Sequence, residues 1–447
     1  MKLGYGVSTV FRLLLPAVLS MAVNGVNAKE DADEVGRIKF TGVWQLEAAR
    51  TTAAPVHTSK LKNALDLSLQ GGFSENVKWK LGGRLFYDAA YDGSNFYPPA
   101  VERDQRKEAR ALENYIDISQ GNWDFRLGRQ HIVWGEVVGL FFADVVSAKD
   151  LRETVLPEFD RLRIPQWATR VEYFKNDFHA EAIWIPYMSY DKIGKPGADF
   201  YPVPQALLPA GTTTVFRDEV IPSRNSSNTA YGLRLSYLKN GWDWSGFVYS
   251  PPDPQAAFAR EILPPPPLCI GTACQPTLVL TPEHRRIHQS GITLAKDFGE
   301  MVLKSELVFT RGRDFSVTRS TDDDGLVRQN TLDYIVGLEW PLGESGRITT
   351  QVFGRSVANH DPDTLLRKNE NGLVLLLSQQ YGNWEPSLLL VSSVTRNDWL
   401  ARPRVTWGFA RNWRAAFGYD AFGGEPTGFF GRFNNRDRAY AELRYIF

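Results

Sequence analysis

The chain of 447 residues lacks a charge imbalance, a set of cysteines and, beyond its first 28 residues, any long apolar run. Lys and Arg together number 51, as do Asp and Glu, so nothing in the balance indicates a nucleic-acid partner. Two cysteines are too few for a cysteine-based metal site. No later stretch approaches the roughly 20 apolar residues of a membrane-spanning helix. These absences exclude a helical membrane protein.

Linear catalytic motifs are absent as well. No GxSxG, HExxH, Walker A or CxxC pattern occurs, so we predict no enzyme activity, no cofactor and no metal site. A hydrolase that takes its catalytic residues from separate strands would show no linear motif, and it stays an alternative.

Residues 1–28 have the pattern of a secretory signal peptide. Lys2 and Arg12 precede an apolar run over residues 13–23, and a small residue, Ala28, marks the expected cleavage site. The run is too short to span a membrane. Cleavage would leave 419 residues and change the formal net charge from 0 to −2, because only these two charged residues are removed.

The carboxyl terminus alternates in character with a period of two. Ala441, Leu443, Tyr445 and Phe447 are separated by charged residues such as Glu442. A period of two places each set on its own face of a strand. This pattern is typical of the last strand of a Gram-negative outer-membrane barrel, with its apolar face toward lipid. We expect Leu443, Tyr445 and Phe447 to form the assembly signal that the barrel-assembly machinery reads.

A polar turn followed at once by an aromatic residue recurs along the chain. Asn-Gly and related pairs favour the positive φ angles of tight hairpins, and the aromatic residue suits the periplasmic interface. The five instances are Gly121-Asn122-Trp123, Asn176-Asp177-Phe178, Asn240-Gly241-Trp242, Gly382-Asn383-Trp384 and Arg411-Asn412-Trp413.

Between these turns, apolar and polar residues alternate as in half-buried strands. The pattern predicts an all-β, up-and-down antiparallel transmembrane barrel over residues 29–447, with 18 strands and 16 as the next alternative. An even number places both termini in the periplasm. The strands are expected to start near residues 37, 59, 77, 109, 123, 166, 178, 229, 242, 284, 301, 331, 347, 372, 384, 400, 413 and 438.

Three connections are too long to be simple closures. They run over about 130–165, 186–228 and 250–283, and we interpret them as extracellular loops. Residues 186–283 hold 15 of the 26 prolines. Proline stiffens the chain and cannot donate to a strand ladder, so the fourth and fifth outer loops are expected to be ordered, non-sheet caps.

The third outer loop carries too many apolar residues to lie in water. We therefore predict that it folds into the lumen and narrows the channel, with a short helix over 150–156 that Asp150 caps and Pro157 ends. Arg129 is expected to pair with Glu136 or Asp160, because a charge buried under the loop needs a partner. The predicted constriction residues are Arg129, Trp134, Glu136, Phe141, Asp150, Arg152, Asp160 and Arg163.

The same region resembles a known family. Its motifs are Leu127-Gly128-Arg129-Gln130, Trp134-Gly135-Glu136, Asp150-Leu151-Arg152 and Arg163-Ile164-Pro165. Over about 125–175 they are similar to a proteobacterial family of porin-like outer-membrane proteins, which is catalogued as a domain of unknown function. The resemblance implies an outer-membrane β-barrel that passes hydrophobic or lipid-like compounds alongside an inner-membrane exporter. It implies no catalytic residues.

Cys269 and Cys274 lie in the fifth outer loop, where an exported protein would form a local disulfide. The leading functional hypothesis is a channel that passes a small or hydrophobic solute across the outer membrane. Its partners would be outer-membrane lipid, the solute and an inner-membrane exporter. The alternatives are an outer-membrane hydrolase and a structural or adhesive barrel. The oligomeric state stays open.

Overall fold

The computed structural model describes residues 36–137, 142–154, 156–203, 211–265 and 274–447. Within these ranges, 18 strands pair into a single antiparallel sheet that closes on itself. Closure joins the first strand to the last, with Trp44 opposite Tyr445. The 18-stranded barrel is confirmed, and the 16-stranded alternative is wrong. Among the described residues, no helix combines the length and apolar character needed to cross a membrane.

In chain order, the barrel strands are β1 Lys39–Thr51, β2 Thr58–Ser74, β3 Val77–Asp88, β4 Lys107–Gln120, β5 Trp123–Gln130, β6 Gln166–Lys175, β7 Phe178–Tyr187, β8 Ala230–Lys239, β9 Trp242–Ser250, β10 His288–Asp297, β11 Val302–Ser316, β12 Leu326–Leu342, β13 Gly346–Val357, β14 Asn369–Gln379, β15 Trp384–Ser393, β16 Asp398–Ala410, β17 Trp413–Gly423 and β18 Arg438–Ile446.

The largest errors in the predicted strand starts are at β10 and β12. β10 begins at His288 rather than near 284, where the residues before it still belong to the fifth outer loop. β12 begins at Leu326 rather than near 331, because β11 and β12 stay paired as far as Ser316 and Leu326, beyond a bulge in the ladder. Alternation in the sequence could not show how far two paired strands extend past the membrane.

All five polar turns with their aromatic residues join neighbouring strands as predicted. Asn176 and Asn240 take positive φ angles of 51° and 53°, which Asn tolerates better than most residues. The aromatic residues form a belt at this end of the barrel. Trp384, for example, stacks on Trp407 of the next strand with 5.0 Å between ring centroids. Belts of this kind mark the interface between lipid and water.

The fourth and fifth outer loops contain a small sheet, which corrects the prediction of non-sheet caps. Thr213–Phe216 pairs in parallel with Thr277–Glu283, and Ala257–Leu263 pairs with it from the other side. The two flanking segments contain no proline, because the prolines cluster before and after them. The proline count of the whole region therefore did not indicate that short proline-free segments within it can still pair as strands.

The chain ends against the first strand. Gly42 and Phe447 exchange two backbone hydrogen bonds, of 2.7 and 3.0 Å, and the Phe447 ring lies 5.7 Å from that of Phe40. Deleting Phe447 should leave export to the periplasm intact but lower the amount of barrel in the outer membrane, since it removes these closing contacts and the terminal aromatic residue. Heat-modifiable mobility of the outer-membrane fraction would measure this.

The matched control is Phe417→Ser, which removes an exposed ring from the outer face of the neighbouring strand β17. It should insert in near-normal amounts. Normal insertion of the chain that lacks Phe447 would show that the tail is not the assembly signal.

Candidate functional site

Along each strand, residues that face the barrel interior alternate with residues that face lipid. On β8, Leu233 and Leu235 are exposed on the outer surface, and Arg234 between them faces the barrel interior. Inward charges pair across the ladder: Arg126 of β5, for example, donates to Asp117 of β4 at 2.5 and 2.7 Å. The barrel therefore encloses a lumen lined by paired charges.

The third outer loop comprises residues 131–165 and is anchored near its start by Trp134, which is fully buried. The Trp134 ring packs on Phe247 and Tyr249 of β9, with ring centroids 5.2 and 5.8 Å apart. Its indole N–H donates to Glu181 of β7 at 3.2 Å. These contacts fasten the beginning of the loop to the inner wall at β7–β9.

A second anchor is the buried carboxylate of Glu306 on β11. One of its oxygens accepts the backbone N–H groups of Glu136 and Val137, at 2.7 and 2.9 Å. The other accepts those of Phe142 and Ala143, at 2.9 and 2.8 Å. These four hydrogen bonds to one carboxylate hold both ends of the segment 136–143 against the wall. Sequence analysis missed Glu306, because nothing in its local pattern separates it from other inward carboxylates.

Side chains of the predicted constriction reinforce these anchors. Glu136 accepts a hydrogen bond of 2.9 Å from Arg234 of β8, so it is tied to the wall. Arg163, at the end of the loop, donates to Asp144 within the loop at 2.8 Å. Both contacts join charges that burial would otherwise leave uncompensated.

Asp150 and Arg152 form a network with β4. Arg152 donates to Asp150 at 2.8 Å and to Glu108 at 2.7 Å, and Arg110 donates to Asp150 at 3.0 Å. Burial by itself would raise the pKa of Asp150. The hydrogen bonds and positive charge of Arg152, together with Arg110, outweigh that effect and hold the pKa well below its usual value. Asp150 therefore remains charged inside the barrel.

Two further carboxylates of the loop reach β2, β16 and β18. The pairs are Glu153 with Lys60 (2.5 Å) and Arg438 (3.3 Å), and Glu158 with Arg404 (3.2 Å) and Arg444 (2.9 Å). Burial would raise the pKa of Glu158, but the positive charges of Arg444 and Arg404 lower it overall. The third outer loop thus contacts the wall at β7–β9 and β11, at β4, and at β2, β16 and β18.

Two cavities lie beside the described part of the loop. One, of about 90 Å³, lies between the loop and the wall formed by β1–β4 and β16–β18. The second, of about 200 Å³, extends toward the turn end of β15–β18. Glu158, Arg404 and Glu442 line both. These three residues therefore lie between the two cavities.

The lining of the first cavity is dense in charge, with nine basic and seven acidic side chains. The basic residues are Lys60, Lys62, Arg84, Arg110, Arg152, Arg161, Arg402, Arg404 and Arg438, and the acidic ones are Glu47, Asp88, Asp150, Glu153, Glu158, Asp420 and Glu442. Most of the wall residues among them were not identified from the sequence, because their proximity depends on closure of the barrel.

The helix predicted over residues 150–156 is wrong. Leu151 to Thr154 form a turn, and Thr154 has a φ of +48°, which interrupts a right-handed helix. The short helix of the loop lies later, at Phe159–Leu162. Asp150 uses its carboxylate for Arg152 and Arg110 instead of a helix cap.

The pairing of Arg129 with Glu136 is also wrong. Arg129 lies opposite Trp167 in the ladder, and Trp167 is exposed on the outer surface. Because ladder partners share a face of the sheet, the side chain of Arg129 leaves the backbone on the lipid-facing side of the wall. It donates to the carbonyl oxygen of Ala111 at 3.1 Å. Arg129 was expected on the inward face of β5, but it occupies the outward face. The side chain of Asp160, the other expected partner, is not described.

Two other predicted residues, Phe141 and Cys269, lie outside the described residues. The constriction roles of Phe141 and Asp160 and the disulfide between Cys269 and Cys274 therefore stay predictions.

Comparison with known proteins places this architecture among outer-membrane barrels. A family model described as "Protein of unknown function (DUF1302)" matches residues 36–447. No curated protein matches the chain.

Among solved structures, OccAB1 of Acinetobacter baumannii is similar, with 9% identity and a TM-score of 0.55 over 95% of this chain and 99% of that one. OpdK of Pseudomonas aeruginosa with vanillate has 9% identity and a TM-score of 0.53, over 93% and 100%. OccK8 (OprE) of Pseudomonas aeruginosa has 10% identity and a TM-score of 0.52, over 93% and 99%. At these identities the similarity establishes the fold.

Proposed function

We propose that this chain, which belongs to the family described as "Protein of unknown function (DUF1302)", is an outer-membrane channel narrowed by its third outer loop. The contacts of that loop support the proposal. It leaves the wall at β5 and re-enters at β6, yet it contacts Glu306 of β11 in one direction around the ring and Arg444 of β18 in the other. A segment that crosses the lumen can make both contacts.

The lining supports a small polar solute over a hydrophobic one. Apolar wall residues on β14 and β15, Val374 and Val391, are buried in a cluster with Leu156 of the third outer loop. That apolar surface is used in holding the loop. The first cavity beside it is bordered by nine basic and seven acidic side chains, and the second by three of each, so the two linings together have more basic than acidic side chains. A small anion would meet favourable electrostatics there, as at charged channel constrictions.

The solute class can be tested with reconstituted protein. In planar bilayers, the folded barrel should give discrete conductance steps that favour anions. In liposome swelling, vanillate, the small aromatic carboxylate named with the OpdK structure, should enter faster than an uncharged sugar of similar size. A medium-chain fatty acid, which has the same charge but a longer apolar chain, should enter no faster than vanillate.

Silent bilayers with heat-modifiable, folded protein would contradict the channel proposal. Conductance with a clear cation preference would contradict only the choice of solute. Coupling to an inner-membrane exporter remains a prediction from the family resemblance, and it is independent of both measurements.

A further inference from the structure

Three potential metal ligands meet on the inward face of β6 and β7. Glu172 of β6 and Glu181 of β7 are direct partners in the ladder, and His179 lies two residues before Glu181. One ligand atom from each of the three side chains can be chosen so that all lie within 4.8 Å of one another. His179 Nε2 is 3.1 Å from Glu172 Oε1.

Two carboxylates directly opposite each other in a ladder repel, so this pair calls for compensation. Arg170 supplies some of it, with its guanidinium 2.8 Å from Glu172 Oε2. Glu181 is 4% exposed, and its only described hydrogen bond comes from the neutral indole of Trp134. Arg234 lies opposite Glu181 in the β7–β8 ladder, but its described salt bridge is with Glu136, so Glu181 has no salt bridge of its own among the described residues.

The donors that hold these carboxylates leave room for a shared ligand. Arg170 holds Oε2 of Glu172 and Trp134 holds Oε1 of Glu181, each from outside the group. The other carboxylate oxygens, Oε1 of Glu172 and Oε2 of Glu181, are the candidate ligand atoms, together with the imidazole of His179. A bound cation would replace the hydrogen bond between His179 Nε2 and Glu172 Oε1. Phe174 stacks on that imidazole, with ring centroids 4.4 Å apart, and restricts its rotation. Metal ligands are commonly oriented by outer contacts of this kind.

We propose that Glu172, His179 and Glu181 form a binding site for a divalent transition-metal cation in the lumen wall. Imidazole and carboxylate ligands together suit Zn²⁺, whereas Ca²⁺ and Mg²⁺ prefer oxygen ligands alone. Ligands bonded to Zn²⁺ at about 2.0–2.2 Å lie roughly 3.3–3.6 Å apart in a tetrahedral arrangement, so small side-chain shifts are enough. Three protein ligands leave a coordination position open to the lumen.

The site has a direct connection to the third outer loop. Glu181 also accepts the hydrogen bond of Trp134, which anchors the loop near its start. A bound cation would fix Glu181 in place and compensate its charge, and would thereby stabilise that anchor. The site goes beyond the proposed channel function, because it requires only that the barrel be folded.

The test is calorimetric titration of Zn²⁺ into folded barrel in detergent, purified without a histidine tag. We expect one Zn²⁺ per chain and no comparable binding of Ca²⁺. His179→Ala should weaken Zn²⁺ binding by more than about 100-fold, because even changes to outer contacts of a metal site cost roughly 10–100-fold. Glu172→Gln, which keeps the shape of the side chain, should also weaken it strongly.

His360→Ala is the matched control, since that imidazole lies in another outer loop and bonds the Leu366 carbonyl oxygen at 2.9 Å. It should leave Zn²⁺ binding unchanged. Heat-modifiable mobility verifies that each variant is folded, and the titration needs no transport activity. Absence of Zn²⁺ binding, or equal binding by the parent chain and both site variants, would overturn the proposal and identify the three residues as an ordinary ion-pair cluster.

Discussion

Removing residues 136–156 of the third outer loop and bridging the gap with a flexible Gly-Ser linker should raise single-channel conductance several-fold. The described residues of this segment contact opposite parts of the wall, and the backbone ladders of the barrel are formed by other residues. The conductance of the reconstituted variant in planar bilayers measures the effect. Anion preference should change as well, because Asp150, Arg152 and Glu153 leave the cavity lining.

The matched control replaces residues 255–283 of the fifth outer loop with the same linker. This segment carries part of the small outer sheet, and none of its described residues lines either cavity. Conductance should stay close to that of the parent chain. If removal of residues 136–156 leaves the conductance of a folded barrel unchanged, the third outer loop does not narrow the channel.

Glu306→Gln should release the same loop with a single substitution. The carboxylate accepts four backbone N–H groups, and hydrogen bonds to a charged group are worth roughly 1.5–3 kcal/mol each. A glutamine loses the charge and turns two of its own N–H groups toward the loop donors. We expect higher and noisier conductance, and faster proteolysis within residues 136–156, while the barrel remains folded.

Glu339→Gln provides the comparison, because Glu339 faces inward on the neighbouring strand β12 and its described salt bridges are to Lys304 and Arg347 of the wall. Its conductance and protease pattern should match those of the parent chain. Identical behaviour of the Glu306 and Glu339 variants would mean that Glu306 is not an anchor of the third outer loop.

The strand number and order were accessible from the sequence because both depend on local chemistry. A wall between lipid and water requires a period of two, as in Leu233, Arg234 and Leu235. Tight hairpins require residues such as Asn240 that tolerate positive φ. Each signal lies within a few neighbouring residues.

Errors arose where a residue's role depended on its face or on a distant partner. Arg129 was assigned to the lumen from the charges around it, although its ladder partner Trp167 lies on the outer surface. Glu306 was overlooked, because its four donors come from a loop about 165 residues earlier. Glu172 and Glu181 were not linked to His179 until the register of β6 and β7 was known.

The sequence by itself indicated an outer-membrane barrel of 18 strands, with 16 as the alternative, and it indicated the turns, the lipid-facing aromatic belt and an apolar third outer loop that needs shelter. Only the tertiary structure decided which wall residues hold that loop and which charges line the cavities beside it. The reason is physical. Alternation and turn propensity act over a few residues, whereas contacts across a lumen depend on the strand register and closure of the whole ring.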